Sequence, residues 1–230
     1  MKYLYILKVG STFAPTKEHY GDFDLWVARF FRSKKVKIRV VNLCTVESLP
    51  KISTASGFII TGSHAMVTDE PVWSLRLEAY VREVAKTQAL LLGICYGHQL
   101  IAKALGGRSG FNPKGKEIGT KQIRKLKYGY KDPLLKGIPA AFEAYETHSQ
   151  TVLKMPKGAK LLVKGRGDNH QAVRYRENIW GVQFHPEFDV NIMREYIIHG
   201  HKDQTILEGV KRCDVSSLVL KNFGKLLELR

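Results

Sequence analysis

Cysteine is scarce in this chain and forms no pattern. Cys44, Cys95 and Cys213 are an odd number with no C-x-x-C spacing, which argues against a disulfide scaffold or structural zinc site and fits a reducing cytosol. Long hydrophobic runs are missing as well. The opening MKYLYILKVG is interrupted at Lys8, too soon for a signal peptide and far short of the roughly 20 residues of a membrane span, so it reads as a buried strand. There is no internal repeat, no low-complexity stretch, no Pro/Gly/Ser linker and no G-x-x-x-x-G-K-S/T phosphate loop. A single domain over 1–230 is the simplest expectation. Acidic residues are the last shortage: 21 against 37 Lys and Arg, a net charge of +16 with the 8 His neutral. Such an imbalance suits an anionic partner or substrate, or a solvated cationic face, and the solvated face is taken first.

What is present is alternation. Four short runs rich in Val, Ile and Leu begin at Tyr3, Val36, Gly57 and Ala89 and suit central strands of a parallel sheet. Helical patterns lie between them. One starts at Asp22, with Phe23, Trp26, Val27, Phe30 and Phe31 on one face; another starts at Pro71, with Trp73, Leu77, Tyr80, Val81 and Val84. This order predicts an α/β fold with a doubly wound, mostly parallel sheet. From Lys116 to Tyr175 only short β-like segments occur, which predicts antiparallel additions before the strand NIWGVQF. Helices from Asp189 and Asp214 then close the chain.

The sharpest local feature is LLLGICYGHQ, an apolar strand running through Gly93 to Cys95, with Gly97 opening a helix. Gly-x-Cys-x-Gly at a strand-to-helix junction is the thiol form of a nucleophile elbow. Its flanking positions are too crowded for side chains, and the helix dipole at its centre favours thiolate, the reactive form. Cys44 and Cys213 lack such flanks and read as small buried hydrophobes. A nucleophilic Cys needs a base held by a third group. HPEF supplies His185 and Glu187, two apart and on one side of an extended segment stiffened by Pro186. Oxyanion donors are expected from the Tyr96 N–H and from the loop containing Gly62. His98, three residues along the helix from Cys95, reads as structural, and His64 as a rim or turn residue.

The motifs GICYGHQ, HPE and TGS together resemble the class I (triad) glutamine amidotransferases, with Cys, His and Glu in that chain order. YGDFDLW, ALGG followed by NPKGKEIG, and THSQTV narrow the likeness to the stand-alone branch similar to the amidotransferase domain of GMP synthetase. The resemblance implies a flavodoxin-like fold, no cofactor or metal, and a γ-glutamyl amide as substrate. It implies Cys95 as nucleophile, His185 as base, Glu187 as its orienter, and Gly62 and Tyr96 as the oxyanion hole. Ser63, Gln99, His148 and Ser149 are implied as substrate contacts. Where the family more often has S-H-G-D, this chain reads T-H-S-Q, so Gln150 stands in place of an Asp that could meet an ammonium group.

The expectation is therefore a cytoplasmic Cys-His-Glu hydrolase acting on glutamine or a γ-glutamyl peptide through a thioester. The chain ends about 43 residues beyond Glu187 without a nucleotide-binding pattern. The first alternative is accordingly a subunit passing ammonia to a separate synthetase partner. The second is an idle binding protein using a basic surface: KGKEIGTKQIRKLKYGYK carries Lys114, Lys116, Lys121, Arg124, Lys125, Lys127 and Lys131 beside Tyr128 and Tyr130. Outward alternation and the lack of an RNA-binding motif make a solvated face the better reading of that segment, so nucleic acid and membrane partners are not expected.

Overall fold

The computed structural model describes residues 2–45, 48–200 and 203–229. The strands are β1 (Lys2–Lys8), β2 (Val36–Asn42), β3 (Ser56–Ile60), β4 (Leu90–Ile94), β5 (Arg108–Phe111), β6 (Glu117–Lys125), β7 (Ala141–His148), β8 (Gln150–Lys154), β9 (Lys160–Gly165), β10 (Ala172–Arg176) and β11 (Ile179–Val182). Nine of them form one sheet in the order β2-β1-β3-β4-β11-β10-β9-β6-β7, while β5 and β8 form a separate antiparallel pair. From β2 to β11 all pairings are parallel. From β11 to β7 all are antiparallel.

The helices are α1 (Ala14–Tyr20), α2 (Phe23–Ala28), α3 (Val72–Val84), α4 (Tyr96–Ala104), α5 (Val190–Gly200), α6 (Gln204–Glu208) and α7 (Leu218–Glu228). Alternating strand residues feed two cores. Leu4, Ile6, Ile59 and Leu92 pack with Val27 of α2 and with Val219 and Phe223 of α7. Leu7, Phe58, Ile60 and Leu91 pack with Leu77 and Val81 of α3 and Leu100 of α4. Helices on both faces of a mostly parallel sheet are the α/β architecture that the alternating pattern predicts. A third cluster, around Trp26, Phe188, Met193 and Tyr196, ties α2 to α5. Among the described residues no helix is long and apolar enough to cross a membrane.

Three local expectations are corrected. β2 is the edge strand, not a central one, and three of its seven residues are exposed. α2 stops at Ala28, because Phe30 and Phe31 are drawn into turns by bonds to Val27 and Ala28 and pack on the core from there. Cys44 is exposed in the turn after β2, whereas Cys213 is buried as expected. α1 and α6 arise where the sequence carries no periodic signal, and β7, within the predicted antiparallel stretch, buries Tyr145, Glu146 and His148 together.

Candidate active site

The parallel half of the sheet presents three strand ends side by side. β4 and β11 run in register to the pair Ile94 and Val182, and the Cys95 N–H donates to the Val182 carbonyl at 2.8 Å. Residues just past these ends, and past β3, share the crevice where α/β sheets bind ligands. Cys95 therefore meets the segment 183–187 although the two lie far apart in sequence.

Cys95 has φ 48° and ψ −99°, a conformation that non-glycine residues seldom adopt. The strain is held in place by its flanks. A Cβ on Gly93 would lie 2.4 Å from the Gly97 carbonyl group, and one on Gly97 would lie 2.6 Å from the Ile60 oxygen. The glycines let helix, elbow and strand close on one another. Gly93→Ala is expected to cost at least about 2 kcal/mol of unfolding free energy in urea titrations; an unchanged midpoint would show that the elbow is not tightly packed.

His185 is buried, and its Nδ1 lies 2.8 Å from Glu187 Oε1. Its ring stacks on Phe188 with centroids 4.2 Å apart. The Nε2 has no hydrogen-bond partner. Burial opposes the charged imidazole, yet the Glu187 carboxylate and the Cys95 sulfur together push the His185 pKa up. Behind it, Arg29 donates to the Glu187 backbone oxygen at 2.6 Å and pairs with Asp189 at 3.1 Å, pinning the segment from the end of α2. Gly62 lies so close that a Cβ would come 3.0 Å from His185 Cε1. The Tyr96 N–H opens α4 and so belongs to the helix-start donors that lack a partner within the helix. The structure thus brings Cys95, His185, Glu187, Gly62 and Tyr96 to one place.

Sequence reasoning missed Gln183. It is fully buried, and its Nε2 donates to Cys95 Sγ at 3.5 Å, while Gln99 Nε2 donates to its Oε1 at 3.1 Å. That second bond fixes the amide orientation, leaving the N–H₂ end for the sulfur. Gln183 lies just past β11, two residues before His185, but residues 183–187 form bends and a turn, not the extended segment expected for HPEF, so no strand alternation marked it as facing the site.

A cavity of about 370 Å³ opens onto these groups. Ser63, Gln99, His148 and Ser149 all line it, as do Cys95, Tyr96 and His185. Two of the implied substrate contacts are already engaged: Gln99 also donates to the Gln150 oxygen at 2.7 Å, and the His148 imidazole faces Glu146 at 3.2 Å and Glu117 at 3.4 Å. His98 is structural. It is completely buried against the Tyr175 hydroxyl, 2.9 Å away, and burial lowers its pKa to about 3, which keeps it neutral. His64 is exposed on the cavity wall, 3.3 Å from the Tyr196 hydroxyl.

A family model described as glutamine amidotransferase class-I matches residues 17–201. The chain belongs to this family. It is 30% identical over 186 residues to a GMP synthase (glutamine-hydrolyzing) subunit of Archaeoglobus fulgidus, covering 78% of this chain and 93% of that one. It is 30% identical over 161 residues to gamma-glutamyl peptidase 4 of Arabidopsis thaliana, covering 67% and 64%. The match to the GMP synthase of Aeropyrum pernix, 33% identical over 73% of this chain, spans 31% of that protein's length. A glutamine amidotransferase crystal structure from Thermotoga maritima superposes with a TM-score of 0.79 at 19% identity, covering 99% of this chain and all of that one, and so supports the fold.

Within this amidotransferase fold, the T-H-S-Q segment is built around tethered polar groups. Gln150 accepts from the Val67 N–H at 2.9 Å and donates to Thr68 at 2.7 Å. Its side chain braces the loop after β3. The His148 pKa is raised because Glu117 and Glu146 outweigh its burial, so its charge is matched by carboxylates inside the amidotransferase.

Proposed function

We propose that this class-I amidotransferase hydrolyses the γ-glutamyl amide bond of glutamine or of a γ-glutamyl peptide. The observation that carries the reading is the His185 imidazole, held by Glu187 at 2.8 Å with its free Nε2 in the cavity that also exposes the strained Cys95 elbow. In this reading the Cys95 thiolate attacks the side-chain carbonyl, and the N–H groups of Gly62 and Tyr96 hold the oxyanion, each worth about 3 kcal/mol. Gln183 orients the sulfur. The C–N bond then breaks as imidazolium His185 protonates the departing ammonia or amine. Water, deprotonated by His185, attacks the thioester; the C–S bond breaks and glutamate leaves. Glu187 holds the ring and balances the imidazolium charge throughout.

A second reading, that the chain passes ammonia to a synthetase partner, is favoured by its likeness to a protein named as one subunit of GMP synthase. One assay separates the two. Purified chain alone is expected to release glutamate from glutamine or γ-glutamyl dipeptides; activity appearing only with a copurified partner would support the second reading, and silence in both settings would overturn the hydrolytic mechanism.

A further inference from the structure

The charges on the cavity wall are lopsided. Lys116, an exposed residue just before β6, lines the cavity, as do the imidazoles of His64 and His199, but no Asp or Glu is among the described lining residues. Most of the carboxylates packed behind the wall already have cationic or imidazole partners, Glu117 and Glu146 sharing one imidazole, while Asp168 accepts from the Thr151 hydroxyl and the His170 N–H. Asp22 pairs with Lys8 at 2.8 Å, Glu187 holds His185, Glu117 and Glu146 face His148, and Glu195 lies 3.1 Å from His199. Lys116 has no ion-pair or hydrogen-bond partner among the described residues. His64 reports the resulting field: partial desolvation of its ring and then the positive charge of His185 lower its pKa, Asp22 opposes them, and Lys116 adds a smaller lowering. Gln150, at the position where a carboxylate could have received an ammonium group, spends its amide on Val67 and Thr68.

Such a wall suits a ligand with one more negative charge than free glutamine, which is a zwitterion. A γ-glutamyl peptide has that extra charge, because its leaving amino acid carries a second carboxylate. The volume agrees, since a cavity of about 370 Å³ falls in the range that accommodates ligands larger than a free amino acid. Building on the hydrolytic reading above, we propose that the site selects γ-glutamyl donors whose leaving group bears a carboxylate, and that Lys116 is the cation that receives it. Lys116 is a binding and specificity residue here, with no part in the proton transfers.

The test compares three donors: γ-glutamylglycine, γ-glutamylglycinamide, in which the second carboxylate is neutralised, and glutamine. The protein is expected to show kcat/KM at least about tenfold higher for γ-glutamylglycine than for the other two, the size of one charge-assisted contact. Lys116→Met should bring the dipeptide-to-amide ratio close to one, mainly through KM, and Lys116→Arg should restore it. Equal rates for the dipeptide and its amide, or a ratio that survives Lys116→Met, would overturn the proposal. A surviving ratio with KM raised equally for all three donors would place Lys116 against the α-carboxylate, which they share. Calorimetric titration of the Cys95→Ala protein with the same donors reads the preference without turnover. If no donor is hydrolysed by the unaltered protein, the hydrolytic reading falls; if the Cys95→Ala protein binds all three equally, the charge selection falls.

Discussion

Cys95→Ala is expected to reduce γ-glutamyl hydrolysis by at least about 10⁴-fold, because removing a covalent nucleophile leaves only oxyanion stabilisation and binding. The fold should survive. Alanine keeps the Cβ that the elbow already accommodates, and the turn is set by packing between Gly93, Gly97 and Ile60, not by the sulfur. Far-ultraviolet circular dichroism and the urea midpoint check this, and full turnover by the variant would refute the mechanism. Cys95→Gly adds a separable prediction. At φ 48° and ψ −99° the side chain imposes strain that glycine does not. Cys95→Gly should therefore be equally inactive yet more stable than Cys95→Ala by about 1 kcal/mol, after allowing for the greater unfolded-state entropy of glycine.

His185→Ala is the second large effect, an expected loss of about 10³-fold or more in kcat/KM, since one residue serves as acid toward the leaving amine and as base toward water. Glu187→Gln should be milder, about 10- to 100-fold, because the amide can still accept from the Nδ1–H while losing its charge. The sign of the pH effect follows from the causes of the His185 shift. The Glu187 carboxylate and the Cys95 sulfur raise that pKa against burial. Taking away the carboxylate lowers it, so the imidazolium needed to protonate the leaving group is lost at a lower pH. The basic limb of the kcat/KM profile should thus move toward acid in Glu187→Gln. A larger loss for Glu187→Gln than for His185→Ala, or an unmoved basic limb, would show that the two roles are assigned wrongly.

Local rules made several elements legible. The strands around Leu4, Ile59 and Leu92 are apolar on both faces because both sheet faces are covered, and the Gly-x-Cys-x-Gly spacing announced a turn too tight for side chains. Asp22 caps α2 through the Phe23 N–H, as its place before an apolar run suggests. Other elements obeyed no local rule. β7 buries Glu146 and His148 within one ion-paired cluster, so its pattern cannot show which face is inside. Cys44 sits too close to the end of an edge strand for its apolar neighbours to cover it.

The candidate site divides in the same way. Residue types and spacing were enough to single out Cys95, His185 and Glu187, because a strained thiol elbow and a His two residues from a Glu each need few neighbours to exist. Gln183 and Arg29 were invisible as site residues, since each acts through a partner brought close by folding: the Cys95 sulfur for one, the Glu187 carbonyl for the other. The wall around Lys116 was likewise beyond a linear reading. A net charge of +16 says nothing of which cation lacks a carboxylate, and that is decided by where the chain places Glu117, Glu146 and Glu195. Sequence alone determined the apolar strands, the thiol elbow and the candidate reactive groups, which depend on nearest neighbours. Tertiary structure decided which of those groups meet and which charges stay uncompensated, because electrostatic and hydrogen-bond energies depend on distance in space.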